Sequence, residues 1–452
     1  MKRAAVSYLQ KWYKKQDRVP LIIRGARQVG KSTLVRLFCQ EQKIRLIEVN
    51  LEIIKLKSLT QEQLSIQEIL DEIQYRTKEK YTPDALLFFD EIQETPRLIS
   101  FLRYFYEQRP DIAIIAAGSL LEFAIKKEDF SFPVGRVEFY HLGPMLFSEF
   151  LIASGEDLLA EKILHPRPSD RHSYHNDILK YLKKYFYVGG MPKAVVTYLE
   201  SRSYHETRGI QDQILQTFVA DFPKYRKRID YSRIDRIFKT CPAQLGKKII
   251  YQNFDRESKA REIRMGLELL MDAKILLPCY HSEASTPPLA AGLDYSLFKV
   301  FFLDIGLLNA SFGLEWDLLE SAFEQGLSTK GIIAEQFAAQ HLNNFDGPQL
   351  SPSLVYWLKD KGAEKAEVDF LVQSRGQILP VEVKAGKGDH NKSLFYYSQK
   401  KNCASAIKLS LLPFSSATKG HIIDGKNITM KFWEIPIYYA ESLKSLLASV
   451  QL

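Results

Sequence analysis

The chain of 452 residues has few cysteines, no long apolar run and no low-complexity segment. Its four cysteines, Cys39, Cys241, Cys279 and Cys403, lie far apart without a C-x-x-C pair. This spacing argues against a disulfide framework or a zinc site and favours a reducing compartment. The apolar stretch at residues 112–117 is too short to span a bilayer, and residues 1–8 lack the apolar core of a signal peptide. We therefore expect a cytoplasmic protein that does not enter a membrane.

No charge of one sign dominates the chain. The formal net charge is +8 and the isoelectric point is near 9.0, which is a weak bias towards polyanionic partners. The most concentrated basic run, residues 224–228, is suited either to solvent or to phosphates. Hydrophobic residues make up 46% and charged residues 26% of the chain, as in soluble globular proteins. The length predicts two to four domains.

The most informative segment is an apolar strand, residues 20–23, that leads into the pattern G-x-x-x-x-G-K-S and then into a helical pattern. Glycines in such a loop let the backbone N–H groups surround a phosphate, and the following helix points its N-terminus at the same anion. Lys31 would reach the β- and γ-phosphates, and Ser32 would offer its hydroxyl to Mg²⁺. The predicted nucleotide-binding residues are Gly25, Ala26, Arg27, Gln28, Val29, Gly30, Lys31, Ser32 and Thr33. A glycine-rich turn without a ligand is the alternative.

An acidic pair follows a second buried strand. Residues 85–89 are apolar and lead directly into Asp90 and Glu91. At the carboxyl end of a strand in a nucleotide-binding sheet, Asp90 is suited to hold Mg²⁺ through water and Glu91 to orient and deprotonate the attacking water. An acidic turn after a core strand is the alternative.

Two further residues are candidates beside a bound triphosphate. Strand 112–117 ends at Gly118 and Ser119, which predicts a hydroxyl near the γ-phosphate in a parallel sheet. Ser119 suits the N-cap of the next helix equally well. Gly135 and Arg136 begin another strand, and the guanidinium of Arg136 would stabilise the transition state in its own active site or in that of a neighbouring subunit. A surface salt bridge is the equal alternative for Arg136.

Together these segments resemble a large family of prokaryotic AAA-superfamily ATPases. The residues that carry the resemblance are 20–34, 89–93, Gly118 with Ser119, Gly135 with Arg136, Pro144, Phe147, Glu149, Phe150, 187–192 and 298–308. The resemblance spans nearly the whole chain and implies an N-terminal ATPase domain followed by a C-terminal domain of unknown function. Ser32 stands where many members have threonine, and either hydroxyl can coordinate magnesium.

From about residue 177 to 310 the pattern becomes mainly helical with a short β element. Residues 245–250, 263–270 and 273–276 resemble the helix, second helix and wing-entry strand of a winged helix, as the family would imply. Such a module either enters a DNA groove or serves as a packing lid, and the sequence leaves both open.

The C-terminal region brings acids together in a defined order. A helix pattern opens at residue 331, and strand patterns cover residues 354–358, 367–372 and 378–384. In the last strand Glu382 and Lys384 share one face, and the preceding turn folds Asp369 back beside them. Asp369 and Glu382 are thus candidates to hold a divalent ion, Lys384 to orient and activate water, and Glu335 to serve as a further ligand or base.

This order, with Glu on a helix, Asp on a strand and Glu-x-Lys on the next strand, resembles the restriction-endonuclease-like nuclease superfamily. The resemblance implies metal-assisted phosphodiester cleavage. The alternatives are a surface hairpin in which Glu382 and Lys384 form an ion pair, and a nuclease fold that persists as a binding module.

We therefore predict an α/β chain with a P-loop NTPase parallel sheet, a helical and winged-helix-like middle domain, and a C-terminal α/β restriction-endonuclease-like domain. The predicted boundaries are 1–160, 161–315 and 316–452.

The expected cofactors are ATP and Mg²⁺, with Ser32 and Asp90 at the nucleotide and Glu335, Asp369 and Glu382 at the second metal site. The predicted function couples nucleotide state to DNA or RNA. The alternative is a nucleotide-controlled switch that binds a protein partner. The sequence leaves the oligomeric state and a cis or trans role of Arg136 open.

Overall fold

The computed structural model describes residues 2–60, 64–119, 121–122, 133, 135–167, 173–225, 230–325, 331–351, 353–359, 366–384 and 391–449. These residues form two compact units. The first unit comprises residues 1–143, 272–274 and 347–351, and the second comprises residues 144–271, 275–346 and 352–452. The three domain boundaries expected from the sequence stay a prediction. Within the described ranges, none of the helices combines the length and apolar character needed to cross a bilayer.

The first unit is built around a parallel sheet. Its strands are β1 (Leu21–Arg24), β2 (Arg45–Asn50), β3 (Ala85–Asp90), β4 (Ala113–Gly118) and β5 (Glu138–His141), and its helices are α1 (Ala5–Tyr13), α2 (Lys31–Gln42), α3 (Ile66–Thr77) and α4 (Arg97–Gln108). Short 3₁₀ segments cover Lys57–Thr60 and Ile92–Glu94. The strand order is β2-β3-β4-β1-β5, and each neighbouring pair is parallel.

Burial explains why the central strands of this sheet read as continuous apolar runs. Every residue of β3 and β4 is buried, because a parallel sheet is covered on both faces. The strands predicted at 20–23, 45–51, 85–89 and 112–117 are confirmed to within a residue or two. Gly135 and Arg136 were expected to open a strand, but they lie in the turn just before β5. Because the strands are parallel, the carboxyl ends of β1, β3 and β4 meet at one edge.

The second unit begins with helices and continues into strands. Its helices are α5 (Phe147–Ala153), α6 (Asp157–Leu164), α7 (His175–Val188), α8 (Pro192–Ser201), α9 (Tyr204–Asp221), α10 (Tyr231–Gln244), α11 (Ala260–Asp272), α12 (Ile305–Ser311), α13 (Trp316–Glu324), α14 (Gly331–Leu342), α15 (Lys392–Lys401) and α16 (Leu443–Ser449). Its strands are β6 (Leu276–Ser282), β7 (Leu293–Phe302), β8 (Leu354–Lys359), β9 (Ala366–Val368), β10 (Phe370–Ser374), β11 (Gln377–Lys384), β12 (Ser405–Ser410), β13 (Ser415–Ile423) and β14 (Lys426–Pro436). Its 3₁₀ segments are Phe222–Tyr225, Tyr251–Asn253, Leu289–Gly292 and Ile437–Ser442.

These strands form two sheets that share one core. One sheet has the order β7-β6-β8-β9 and the other the order β10-β11-β12-β14-β13. The parallel pairing of β6 with β8 joins the middle part of the chain to its C-terminal part. A single hydrophobic cluster accordingly contains Phe301 of β7, Phe337 of α14 and Val381 of β11. The predicted class is confirmed at this level: a parallel N-terminal sheet, a helical middle and mixed C-terminal sheets.

Two local expectations are corrected by the structure. The segment 367–372 is two strands, because β9 pairs with β8 while β10 pairs with β11, and the chain changes sheets at Asp369. Residues 245–250 were expected to be helical, but α10 ends at Gln244. Gly246 has a φ of 69°, a left-handed conformation that stops a helix. The helix pair α10 and α11 does lead into the antiparallel pair β6 and β7, as a winged helix would. The identification as a winged helix stays a prediction.

Candidate functional site

The loop after β1 has the backbone of a phosphate-binding cradle. Gln28 and Gly30 adopt left-handed conformations with φ of 65° and 90°, and α2 begins directly after Gly30. A close approach requires the absence of a side chain at Gly25, because a Cβ atom there would lie 2.1 Å from the carbonyl oxygen of Leu142. The first N–H groups of α2 lack carbonyl partners within the helix, so they are available to an anion in the loop.

Lys31 is held inside this loop by the loop itself. Its side chain is 7% exposed, and Nζ donates to the carbonyl oxygens of Gly25 at 3.0 Å and Ala26 at 2.7 Å. Burial lowers the pKa of Lys31 to about 8, although the negative charges of Glu91 and Asp90 act in the opposite direction. Phosphate oxygens in the loop would offer the ammonium group stronger acceptors than these carbonyls.

The first acid of the predicted pair lies beside the loop serine. Asp90 ends β3 and is 5% exposed. Burial raises the pKa of Asp90, and a hydrogen bond from the Ser32 side chain lowers it. A hydroxyl and a carboxylate oxygen therefore stand next to each other, which is the type of oxygen pair that Mg²⁺ takes in nucleotide sites. The residues present thus fit a magnesium nucleotide.

The second acid is fixed by two side chains, of which the sequence analysis identified one. Glu91 has a φ of 54°, and its carboxylate accepts hydrogen bonds from Gln93 Nε2 at 2.6 Å and from Ser119 Oγ at 3.4 Å. Among the described residues, Gln93 Oε1 is buried without a hydrogen-bond partner. The place of Gln93 two positions after Glu91 in F-D-E-I-Q was a signal that could have identified it. The role of Ser119 as a phosphate sensor stays a prediction, and residue 120, where its helix was expected, lies outside the described residues.

Other predicted residues contribute to this site in different ways. Ala26 and Val29 are buried, and Thr33 is exposed, so its role would be through its backbone. The charge of Arg27 lowers the pKa of Lys31. Arg3, which no local pattern marks, donates from Nη1 to the carbonyl oxygen of Val29 at 3.0 Å and supports the loop from outside.

Arg136 forms the surface salt bridge that was its alternative assignment. Its Nε lies 3.3 Å from Oε1 of Glu107 on α4, and its side chain is 47% exposed. A catalytic role for Arg136 stays a prediction, since an exposed guanidinium can change partners at little cost.

We expect nucleotide binding to take up protons at alkaline pH. The lowered pKa of Lys31 leaves most of these ammonium groups deprotonated at pH 8.5 in the free loop, and adjacent phosphates would raise that pKa again. Binding at pH 8.5 should therefore consume a fraction of one proton, and binding at pH 6.5 should consume none through Lys31. Calorimetric titration in two buffers of different ionisation enthalpy measures this uptake. In Lys31→Arg the guanidinium stays protonated, so persistence of the uptake in that variant would contradict the assignment.

The acids predicted in the C-terminal region come together in the second unit. Asp369 Oδ2 accepts a hydrogen bond from the Val383 N–H at 2.8 Å, which places Asp369 beside β11 as expected. Lys384 Nζ lies 2.6 Å from Glu382 Oε1, and the two side chains are 21% and 13% exposed. The other carboxylate oxygen, Glu382 Oε2, is buried and has no hydrogen-bond partner within the described residues. Burial and the charge of Asp369 raise the pKa of Glu382 to about 8.

Glu335 reaches the same site from α14. Burial and the charge of Asp369 raise the pKa of Glu335 to about 8, while Lys299 has the opposite effect. The backbone of Gly246 approaches this carboxylate closely, because a Cβ atom on Gly246 would lie 3.0 Å from Glu335 Oε2. A turn in the middle part of the chain thus forms one side of the site.

Two charged residues of this site were missed in the sequence analysis. Lys299 of β7 is 0% exposed, and its Nζ lies 3.0 Å from Glu367 Oε1 on β9. Burial lowers the pKa of Lys299, but the charges of Glu367 and Asp369 outweigh burial and raise it well above its ordinary value. A single lysine inside the apolar run L-F-K-V-F-F was the available signal, since a buried lysine needs a partner.

The carboxylates of Glu335, Asp369 and Glu382 are not arranged as the ligands of a metal ion. Across the described ranges, no group of three or more His, Cys, Asp or Glu side chains is arranged to hold a metal ion. The site residues do interact electrostatically, and Glu382 Oε2 is buried without a partner in the part of the chain that the structure describes. The assignment of Glu335, Asp369 and Glu382 as metal ligands therefore stays a prediction.

The fold and the first site define an AAA-type P-loop ATPase domain. Residues 17–151 match the family model described as an AAA domain. Residues 179–318 match a domain of unknown function (DUF8612), and residues 330–427 match another domain of unknown function (DUF4143). The resemblance to AAA-superfamily ATPases is thus confirmed for the N-terminal part of the chain, and the restriction-endonuclease-like assignment stays a prediction.

Among solved structures, the chain is similar to the ORC2 protein of Aeropyrum pernix in its ADPNP-ADP complexes. The sequence identity is 13%, the alignment covers 71% of this chain and 93% of that chain, and the TM-score is 0.33. The comparison with curated proteins gives no match.

Proposed function

We propose that the chain couples Mg·ATP binding and hydrolysis in the first unit to nucleic-acid engagement by the second. The observation that carries the proposal is the arrangement of Lys31, Ser32, Asp90 and Glu91 around one loop. In this arrangement Lys31 binds the β- and γ-phosphates, and Ser32 and Asp90 hold Mg²⁺. Glu91, oriented by Gln93, positions the attacking water and takes its proton.

The proposed output is metal-assisted cleavage of a phosphodiester in the second unit. Asp369, Glu382 and Glu335 would hold a divalent ion, which supplies charge stabilisation at the scissile phosphate. Lys384 would then leave Glu382 and orient the attacking water. Two observations support this assignment: within the described residues Glu382 Oε2 has no hydrogen-bond partner, and Asp369 is held beside β11, the strand that carries Glu382.

Two observations favour the alternative function, a nucleotide-controlled switch that binds a protein partner. Lys384 is paired with Glu382 at 2.6 Å, as in a structural ion pair, and the described acids do not stand in ligating geometry. In this second candidate function the nucleotide state of the first unit controls a protein partner, and the nuclease-like part is an interaction surface.

The test is the ATPase rate of the full chain with and without double-stranded DNA, single-stranded DNA and RNA. We expect stimulation by at least one nucleic acid and a decrease of this stimulation with salt, since phosphate contacts release counterions. The basic residues Arg256, Lys259 and Arg261 are exposed near the start of α11, where a groove-binding helix would carry them. Their joint replacement by Ala should lower the stimulation and its salt dependence.

The matched control is Lys426→Ala, which removes an exposed lysine at the start of β14 in the same unit. Equal loss of stimulation in this control would show a general charge effect rather than a site on α11. An ATPase rate that responds to no nucleic acid, but responds to a protein fraction, would favour the switch.

A further inference from the structure

A fully buried lysine from the middle part of the chain forms one wall of the C-terminal site. Lys299 Nζ lies 3.0 Å from Glu367 Oε1 and is surrounded by the rings of Tyr356 at 5.0 Å, Phe370 at 5.4 Å and Phe301 at 5.6 Å. Aromatic faces attract a cation but replace little of its hydration. The ammonium group is therefore retained by the carboxylates in front of it.

Four acids interact electrostatically around Lys299, and we call them the acid cluster: Glu335, Glu367, Asp369 and Glu382. Lys299 interacts electrostatically with Glu367, Asp369 and Glu335, and it also acts on Glu382. The two lysines at the site, Lys384 and Lys299, differ in how far their side chains can move. Lys384 is 21% exposed and can move away from Glu382, whereas Lys299 is 0% exposed and is enclosed by rings.

The sheet topology fixes Lys299 in this place. Lys299 lies on β7, which pairs with β6, and β6 pairs in parallel with β8, whose other neighbour β9 carries Glu367. The lysine and its partner thus lie on the two edge strands of one sheet. The part of the chain that holds the acid cluster lacks this cation unless β7 is in place.

We propose that Lys299 is a positioning residue that acts as the fixed counter-charge of the acid cluster and sets its affinity for a divalent cation. This rests on the metal site of the proposed function. A permanent positive charge behind the acids reduces their mutual repulsion before a cation binds, and the cation then binds less tightly than the acids alone would hold it.

The test measures Mn²⁺ binding to the full chain by electron paramagnetic resonance. The binding that disappears in Asp369→Asn is assigned to this site. In Lys299→Met we expect Mn²⁺ to bind about tenfold more tightly, because a positive charge several ångströms from a divalent ion is removed. In Glu367→Gln we expect weaker binding by a smaller factor, since Glu367 is 34% exposed and solvent screens its charge. The double variant Lys299→Met/Glu367→Gln should fall between the two single variants.

A purely structural role of Lys299 predicts the opposite sign. If Lys299→Met, shown to be folded by its thermal unfolding in EDTA, binds Mn²⁺ more weakly than wild type, the counter-charge role is overturned and the metal site of the proposed function stands. If Lys299→Met does not fold, the Mn²⁺ affinities of Glu367→Gln and the double variant test the proposal instead. Equal Mn²⁺ affinities in wild type and Glu367→Gln overturn it. Absence of Asp369-dependent Mn²⁺ binding in wild type overturns the metal site itself, and the counter-charge role with it.

Discussion

Replacement of Lys31 by Ala should abolish ATP turnover, with a fall of roughly a hundredfold or more. The ammonium group is the buried positive charge inside the loop, and it already donates to the carbonyl oxygens of Gly25 and Ala26. Removal of this charge takes away both ground-state binding and stabilisation of the charge that develops on the transferred phosphoryl group. Release of phosphate and the shift of the unfolding temperature by Mg·ATP should both be lost.

Two further variants distinguish loss of nucleotide binding from loss of hydrolysis and from a nonspecific effect of removing a lysine. In Glu91→Gln we expect the thermal shift by Mg·ATP to persist while turnover is lost, because Glu91 acts on water rather than on the phosphates. Lys55→Ala removes a lysine of the same unit whose side chain is 60% exposed, and it should leave both measurements unchanged. Normal turnover in a folded Lys31→Ala protein would remove the central assignment.

Replacement of Lys384 by Ala should abolish Mg²⁺-dependent cleavage of the nucleic acid that stimulates the ATPase. Of Lys384 and Lys299, Lys384 is the lysine whose side chain can move, because it is partly exposed on β11 next to Glu382. In Lys384→Ala the proposed orientation and activation of water are absent, which predicts a loss of at least about a hundredfold in cleavage rate. ATP turnover should be retained, since this residue belongs to the second unit and Lys31 to the first.

The controls distinguish the candidate functions. Glu382→Gln should lose cleavage as completely as Lys384→Ala, because it removes a proposed ligand, and Lys426→Ala should cleave at the wild-type rate. Cleavage that persists in Lys384→Ala would contradict the lysine assignment. Absence of cleavage by wild type across DNA and RNA substrates would favour the nucleotide-controlled switch or a nucleic-acid-binding ATPase without nuclease activity.

The first site could be predicted from the sequence because its geometry is mostly local. The loop residues Gly25 to Ser32 are contiguous, so their spacing alone specifies the turn, the lysine and the hydroxyl. The acids Asp90 and Glu91 end a strand whose burial is visible as an apolar run. The sequence did not reveal a supporting residue outside the loop: Arg3, which precedes α1, donates to the carbonyl oxygen of Val29, and no local pattern marks it.

The second site was predicted only in part because strand pairing decides it. The order of Glu335, Asp369, Glu382 and Lys384 is visible in the sequence, and the hydrogen bond from Val383 to Asp369 agrees with the expected turn. One predicted strand at 367–372 proved to be two strands in two sheets. Periodicity cannot reveal such a change of partner, since each residue keeps its alternation while the neighbouring strand differs.

The sequence by itself determined a phosphate-binding loop, an acid pair at the end of a buried strand and the order of the C-terminal acids, because each depends on residues close together along the chain. Only the tertiary structure decided that Lys299 and Glu367 meet at those acids. Their partnership requires β6 to pair with β8, and such long-range pairing depends on how separate segments bury their apolar faces together.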